Sequence, residues 1–153
     1  MENISKHISY KEATRSNTAL RRGIENIPDV EELENMKLIA EKVFEPLRKW
    51  VGGPIKINSF YRSPELNVAI GGSKKSQHCH GQAMDIDDTF GHRSNASMFK
   101  HIRYNMDYDQ MIWEFGDDKN PAWVHISYVS EEENRHRCLR AVKKNGKTHY
   151  EVM

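Results

Sequence analysis

The sequence predicts an α+β domain in which N-terminal helices pack on an antiparallel sheet. Between residues 33 and 50, apolar side chains recur three and four apart, the spacing of one helix face. The runs 55–60, 83–88, 110–115 and 123–128 instead alternate with a period of two, as half-buried strands do. Asn145-Gly146, flanked by two further runs, is a strong hairpin signal near the C-terminus. Helices early and strands late is the order expected of segregated layers.

A chain of 153 residues suits one compact domain with a core of its own. Its 23 basic and 22 acidic residues nearly cancel, which argues against a phosphate-binding surface, so no nucleic-acid partner is expected. Cys79 and Cys138 show no CxxC spacing and no disulfide framework, and a reduced compartment is the simpler expectation. Neither a membrane-length apolar run nor a signal-peptide core is evident. The expectation is a monomer made in the cytoplasm, without membrane insertion, whose export depends on another system. Eight histidines are the main compositional clue.

In chain order, Ser9-Tyr10-Lys11-Glu12 fits a capping box for a short helix, and a second short helix stops at Gly23. Asp29 caps the main helix, whose stripe is Leu33, Met36, Ala40, Val43, Leu47 and Trp50. Gly52-Gly53-Pro54 ends it, and Pro46 is expected to kink or shorten the last turn. The strand 55–60 delivers Arg62 to its end, and Ser63-Pro64-Glu65 starts a helix that stops at Gly71-Gly72. Asp85 and Asp87 share one face of the strand 83–88. Ser94 or Asn95 caps a helix through Met98, Phe99 and Ile102. The strands 110–115 and 123–128 form a hairpin with a long loop, and a terminal hairpin closes the chain.

The stretch 76–88 concentrates chemistry: two histidines and three aspartates lie around Gly81. His78 precedes Asp85 by seven residues, and the intervening glycine lets an imidazole and a carboxylate meet. His125 supplies the third ligand from a distant strand. Three protein ligands with a position left open is the catalytic zinc pattern, whereas structural sites are closed and cysteine-rich. Glu114 then stands as general base, since the hairpin brings it towards His125. Arg62, at a strand end beside a capped helix, is placed to grip a carbonyl or carboxylate. Cys79, His80, Asp87 and Asp88 are expected to support or pack. His92, His101, His136 and His149 are expected at the surface, and Trp113 and Trp123 in the core or cleft wall.

Ser76-x-His78-x-x-Gly81-x-Ala83-x-Asp85 resembles the SxHxxGxAxD signature of the zinc D-alanyl-D-alanine carboxypeptidase family. That family also includes D-Ala-D-Ala dipeptidases, phage endolysins and the hedgehog-like zinc domain. Residues 59–64 are similar to its SGYRSP segment, with Phe60 where glycine is common, and 67–72 and 123–127 extend the likeness. The resemblance implies a hedgehog/DD-peptidase-like fold in one zinc peptidase domain over 1–153, its motif-bearing core at about 55–130. It implies one catalytic zinc on His78, Asp85 and His125, substrate binding by Arg62, and Ser76 facing substrate. Some members carry their acidic base three residues before the last ligand, where this chain has Ala122. Others place a glutamate at the end of the preceding strand, which matches Glu114, ahead of Asp117 and Asp118 as substitutes. The implied substrate is a peptidoglycan stem peptide cut by a D-Ala-D-Ala-type carboxypeptidase. The alternatives are an L-Ala-D-Glu-type endopeptidase, as in endolysins, and a non-catalytic zinc-containing binding or structural module.

Overall fold

The structure, a computed structural model, describes residues 2–153. Its first elements are the short helices α1 (Tyr10–Thr14) and α2 (Asn17–Arg22). The Ser9 hydroxyl accepts from the Glu12 amide and the Ser16 hydroxyl from the Ala19 amide, which satisfies donors that a short helix otherwise leaves bare. Gly23 stops α2 in the left-handed conformation.

The long stripe is one helical run with a fault in it. Helix α3 (Val30–Ile39) starts on a complete capping box between Asp29 and Glu32. A π turn, Ala40–Phe44, follows, and α4 (Glu45–Val51) completes the run. Pro46 is the cause: without an amide hydrogen it cannot bond back by four residues, and its ring crowds the carbonyl there. The wider turn, in which the Glu45 amide donates to the Ala40 carbonyl, takes up the misfit without ending the helix. Met36, Ala40, Val43 and Leu47 stay on the buried side throughout.

Six strands follow: β1 (Lys56–Ser59), β2 (Ala83–Asp87), β3 (Gln110–Glu114), β4 (Trp123–Ser127), β5 (Arg137–Lys144) and β6 (Lys147–Val152). Between them lie α5 (Pro64–Ala69), a 3-10 turn at Gln77–His80 and α6 (Asn95–Asn105). The strands form one sheet in the order β1-β2-β4-β3-β5-β6. Every junction is antiparallel except β3–β5. That exception follows from the path of the chain: residues 128–136 cross β3, and β5 returns antiparallel to β4 on its far side.

Alternation sorts the two faces. Met84, Ile86, Met111, Trp113, Val124 and Ile126 point into the main core, with Met36, Leu47, Phe99 and Ile102 of the helices. Buried nearly completely, such side chains each contribute about 1.5–3 kcal/mol relative to exposure. The residues between them, including Asp85, Ile112, Glu114 and His125, face the open side. No helix among the described residues is long and apolar enough to cross a membrane.

Candidate active site

Register brings the central residues together. Asp85 on β2 pairs directly with His125 on β4, and His125 pairs with Ile112 on β3. Glu114 lies two residues beyond Ile112, one diagonal step from His125, a separation of about 7 Å. The odd-numbered residues of β2 and β4 share the open face with the even-numbered residues of β3.

His78 arrives from the 3-10 turn, whose N-cap is Ser76 and whose C-cap is Gly81. The Ser76 hydroxyl accepts from the His78 amide at 3.3 Å, and Ser76 also lines the cleft. Gly81 has φ +72, and a Cβ there would lie 2.5 Å from the Glu32 carbonyl oxygen of α3. Only glycine suits both the left-handed turn and the close pass of the helix.

The His78 ring is 2 % exposed, and its Nδ1 lies 2.7 Å from the Phe60 carbonyl oxygen. A carbonyl accepts only, so Nδ1 carries the proton and Nε2 keeps its lone pair. Nε2 has no hydrogen-bond partner. It lies 3.3 Å from Asp85 Oδ2 without hydrogen-bond alignment, so two electron-rich atoms face each other with no proton between them. On the other side, Asp85 Oδ1 is 2.9 Å from His125 Nδ1. One ligand atom from each of His78, Asp85 and His125 falls within 4.8 Å of the others. An orphaned imidazole nitrogen, a second imidazole and a carboxylate are a donor set that fits zinc. Fixing a ligand histidine through its other nitrogen is the usual support for such a set.

Electrostatics agree with that reading. Burial works to raise the Asp85 pKa, but His78 and His125 outweigh it and hold the carboxyl ionised, well below its usual range. Burial pushes the His78 imidazole down, against the pull of Asp85. Glu114 is 8 % exposed, and burial pushes its carboxyl up to about 7; Asp85 adds to this, while His125 and Arg62 oppose it.

Arg62 is held on several sides. Its Nε donates to Ser59 Oγ at 3.0 Å, and its two terminal nitrogens lie 3.4 Å from Asn67 Oδ1 and 3.3 Å from Asp85 Oδ2. Asn67 is itself buried and donates to the Ser73 carbonyl at 2.8 Å. A side chain on Gly72 would collide with the Asn67 amide, so this glycine leaves room for the brace.

The other residues expected near the site divide as their chemistry suggests. Asp87 bonds Thr89 and Asn95, and Asp88 accepts from the His92 and Arg93 amides, so both organise the turn after β2. Exposed His80 offers its carbonyl to Asn35. Asp117 accepts from the Lys119 and Asn120 amides, and Asp118 pairs with Arg140, both in the exposed loop after β3. Trp113 packs edge-on to Phe99 in the core, while Trp123 meets Phe115 at the cleft wall.

Sequence reasoning did not find the Phe60 carbonyl, the Ser59–Asn67 brace or the part of the cleft built by β5 and β6. The cleft, of about 610 Å³, takes in Arg62, Ser76, His78, Asp85, Glu114 and His125, and runs on to Leu139, Thr148 and Tyr150. Nothing in a strand's own residues states which neighbour it will pair with. That choice decides whether its outward face meets a site.

Two imidazoles and an ionised carboxylate within reach of one ion, with a buried carboxyl beside them, suit a metal-dependent hydrolase. The comparison with protein families goes further: the chain belongs to the Peptidase M15 family, whose model matches residues 6–127. It is a metallopeptidase, in a family that depends on zinc. No curated protein matches the chain.

Proposed function

We propose that the protein is a zinc peptidase of peptidoglycan stem peptides, releasing terminal D-alanine in a D-Ala-D-Ala-type carboxypeptidase reaction. The observation that carries this reading is the convergence of His78, Asp85 and His125, with an unpartnered His78 Nε2 inside the group. Zinc would be held by these three residues and would supply Lewis acidity to the reaction. Glu114 then takes the proton from the attacking water and passes it to the leaving amine. A carboxyl raised by burial suits both halves of the task, because it binds and gives up a proton near neutrality.

Arg62 is a donor fixed in advance. With its guanidinium held by Ser59 and Asn67, it meets negative charge on the reacting carbonyl, or a substrate carboxylate, without reorganising. Ser76, on the cleft wall next to His78, contacts the peptide backbone. The burial of Glu114 and the bracing of Arg62 favour catalysis over a zinc-containing binding module. One observation favours the endopeptidase alternative, cutting between L-Ala and D-Glu. The cleft continues past the site on both sides, to Ser73 and Lys75 one way and to Thr148 and Tyr150 the other.

The test is a digest of purified muropeptides by the zinc-loaded protein, read by mass spectrometry. Loss of one alanine from pentapeptide stems is the expected product. A new amine at D-Glu would establish the endopeptidase instead, and intact muropeptides under all conditions would overturn the peptidase reading.

A further inference from the structure

The family match stops at residue 127, yet the cleft continues into the hairpin of β5 and β6. Glu114 pairs with Ala141, and Ala141 with Tyr150, so the three side chains stand in one row across the open face. Leu139 pairs with Ile112 and so extends the row of Asp85 and His125. Ile112, Leu139 and Ala141 form a buried apolar cluster separate from the main core, with Phe115 packed against it. Phe115 has φ 56, an uncommon conformation for an aromatic residue, and its ring meets Trp123 on the cleft wall. The result is an apolar floor beside a polar site.

Tyr150 stands at the edge of that floor. It lines the same cleft as Glu114 and His125 although it is 57 % exposed. Two strand spacings, about 10 Å, separate its backbone from that of Glu114. An extended peptide covers that distance in about three residues at about 3.3 Å each. Burial, followed by the Glu114 and Asp85 carboxylates, holds its phenol pKa above the ordinary value, so the ring lies within the field of the site. Lys75 and Arg135 also line the cleft, but the Arg135 guanidinium is taken up by the Asp109 carboxylate.

We propose that Tyr150 is a substrate-binding residue, whose ring and the Ile112–Leu139 floor hold a peptide residue two or three positions from the scissile bond. The inference rests on the peptidase reading and extends it: the preferred substrate is a peptide longer than a dipeptide, with the methylenes of a long side chain laid against the Tyr150 ring. The contact is apolar, so the ring matters more than the hydroxyl.

The test measures binding apart from turnover. Zinc-loaded Glu114→Gln protein is titrated calorimetrically with a soluble stem pentapeptide ending in D-Ala-D-Ala, and separately with the dipeptide D-Ala-D-Ala. Adding Tyr150→Ala should weaken the pentapeptide about 10-fold, or about 1.4 kcal/mol. It should leave dipeptide affinity, zinc content and melting temperature unchanged. Tyr150→Phe should restore pentapeptide binding to within about 2-fold. An unchanged pentapeptide affinity in Tyr150→Ala, equal losses for both peptides, or no pentapeptide binding by the parent would each overturn the proposal. A parent that binds the pentapeptide while the protein with native Glu114 cleaves nothing would sink the hydrolytic reading alone. The Tyr150 comparison would still be decided by the affinities.

Discussion

His78 shows how much one hydrogen bond settles. Its Nδ1 is committed to the Phe60 carbonyl, so the free lone pair on Nε2 can serve only a cation or a donor. His125→Ala removes a second nitrogen from that group, and zinc content by elemental analysis should fall from about one per chain to near zero. Glu114→Gln should keep its zinc while kcat on stem peptide falls at least about 100-fold. Full activity in that variant would show that another group moves the proton. Glu114 also predicts a stability effect without metal. Its folded pKa, about 7, lies above the ordinary 4.5, so the folded state favours the protonated form. Stability from this group is complete below 4.5 and is lost as pH rises through about 7. In chelator-treated protein, the melting temperature of wild type minus that of Glu114→Gln should therefore drop between those limits. A flat difference would mean that burial does not hold the carboxyl protonated.

At the scale of the element, the 3-10 turn is the most demanding part of the chain. Gly81→Ala places a methyl group in a left-handed conformation and against the Glu32 carbonyl of α3. The conformation alone costs about 1 kcal/mol, and the collision brings the loss to about 2 kcal/mol or more by urea denaturation. An effect under about 0.5 kcal/mol would mean that α3 moves aside freely. This glycine was legible, because the spacing from His78 to Asp85 requires the chain to fold back on itself. The main helix was legible from its stripe, and Pro46 from its chemistry. That the fault becomes a π turn and not a stop depends on burial of Val43 and Phe44 against the core, a tertiary fact. Glu114 could be named because its hairpin pairs neighbours in sequence. Tyr150 could not: it meets the site only because β5 crosses to the far side of β3, and no local signal in 137–152 specifies a parallel partner.

For the molecule as a whole, Asp109 is a second tie between the C-terminal hairpin and the rest, beside the β3–β5 ladder. The residue is 2 % exposed, and its amide donates to the Ser127 carbonyl at 2.8 Å. One carboxyl oxygen accepts from the Arg135 amide and Nε, both at 3.0 Å; the other accepts from Arg135 Nη2 at 2.7 Å and Gln77 Nε2 at 2.9 Å. One side chain thus ties the end of β4, the 3-10 turn that carries His78 and the segment leading into β5. Burial alone would raise its pKa, but Arg135 and Gln77 more than offset this and hold the carboxyl below its usual range. Arg135 is half exposed, so water replaces part of what it would lose, and Asp109→Ala should cost about 2–3 kcal/mol. The loss should be local first. Amides of 137–152 should exchange with solvent at least about 10-fold faster, while those of β2 and β4, covered by the main core, keep their protection. If Tyr150 binds substrate, pentapeptide affinity should weaken in the same variant, and zinc content is measured beside it because Gln77, next to His78, loses its carboxylate partner as well. Uniformly faster exchange across all six strands would instead show that the hairpin is integral to one cooperative unit and that Asp109 is no joint within it.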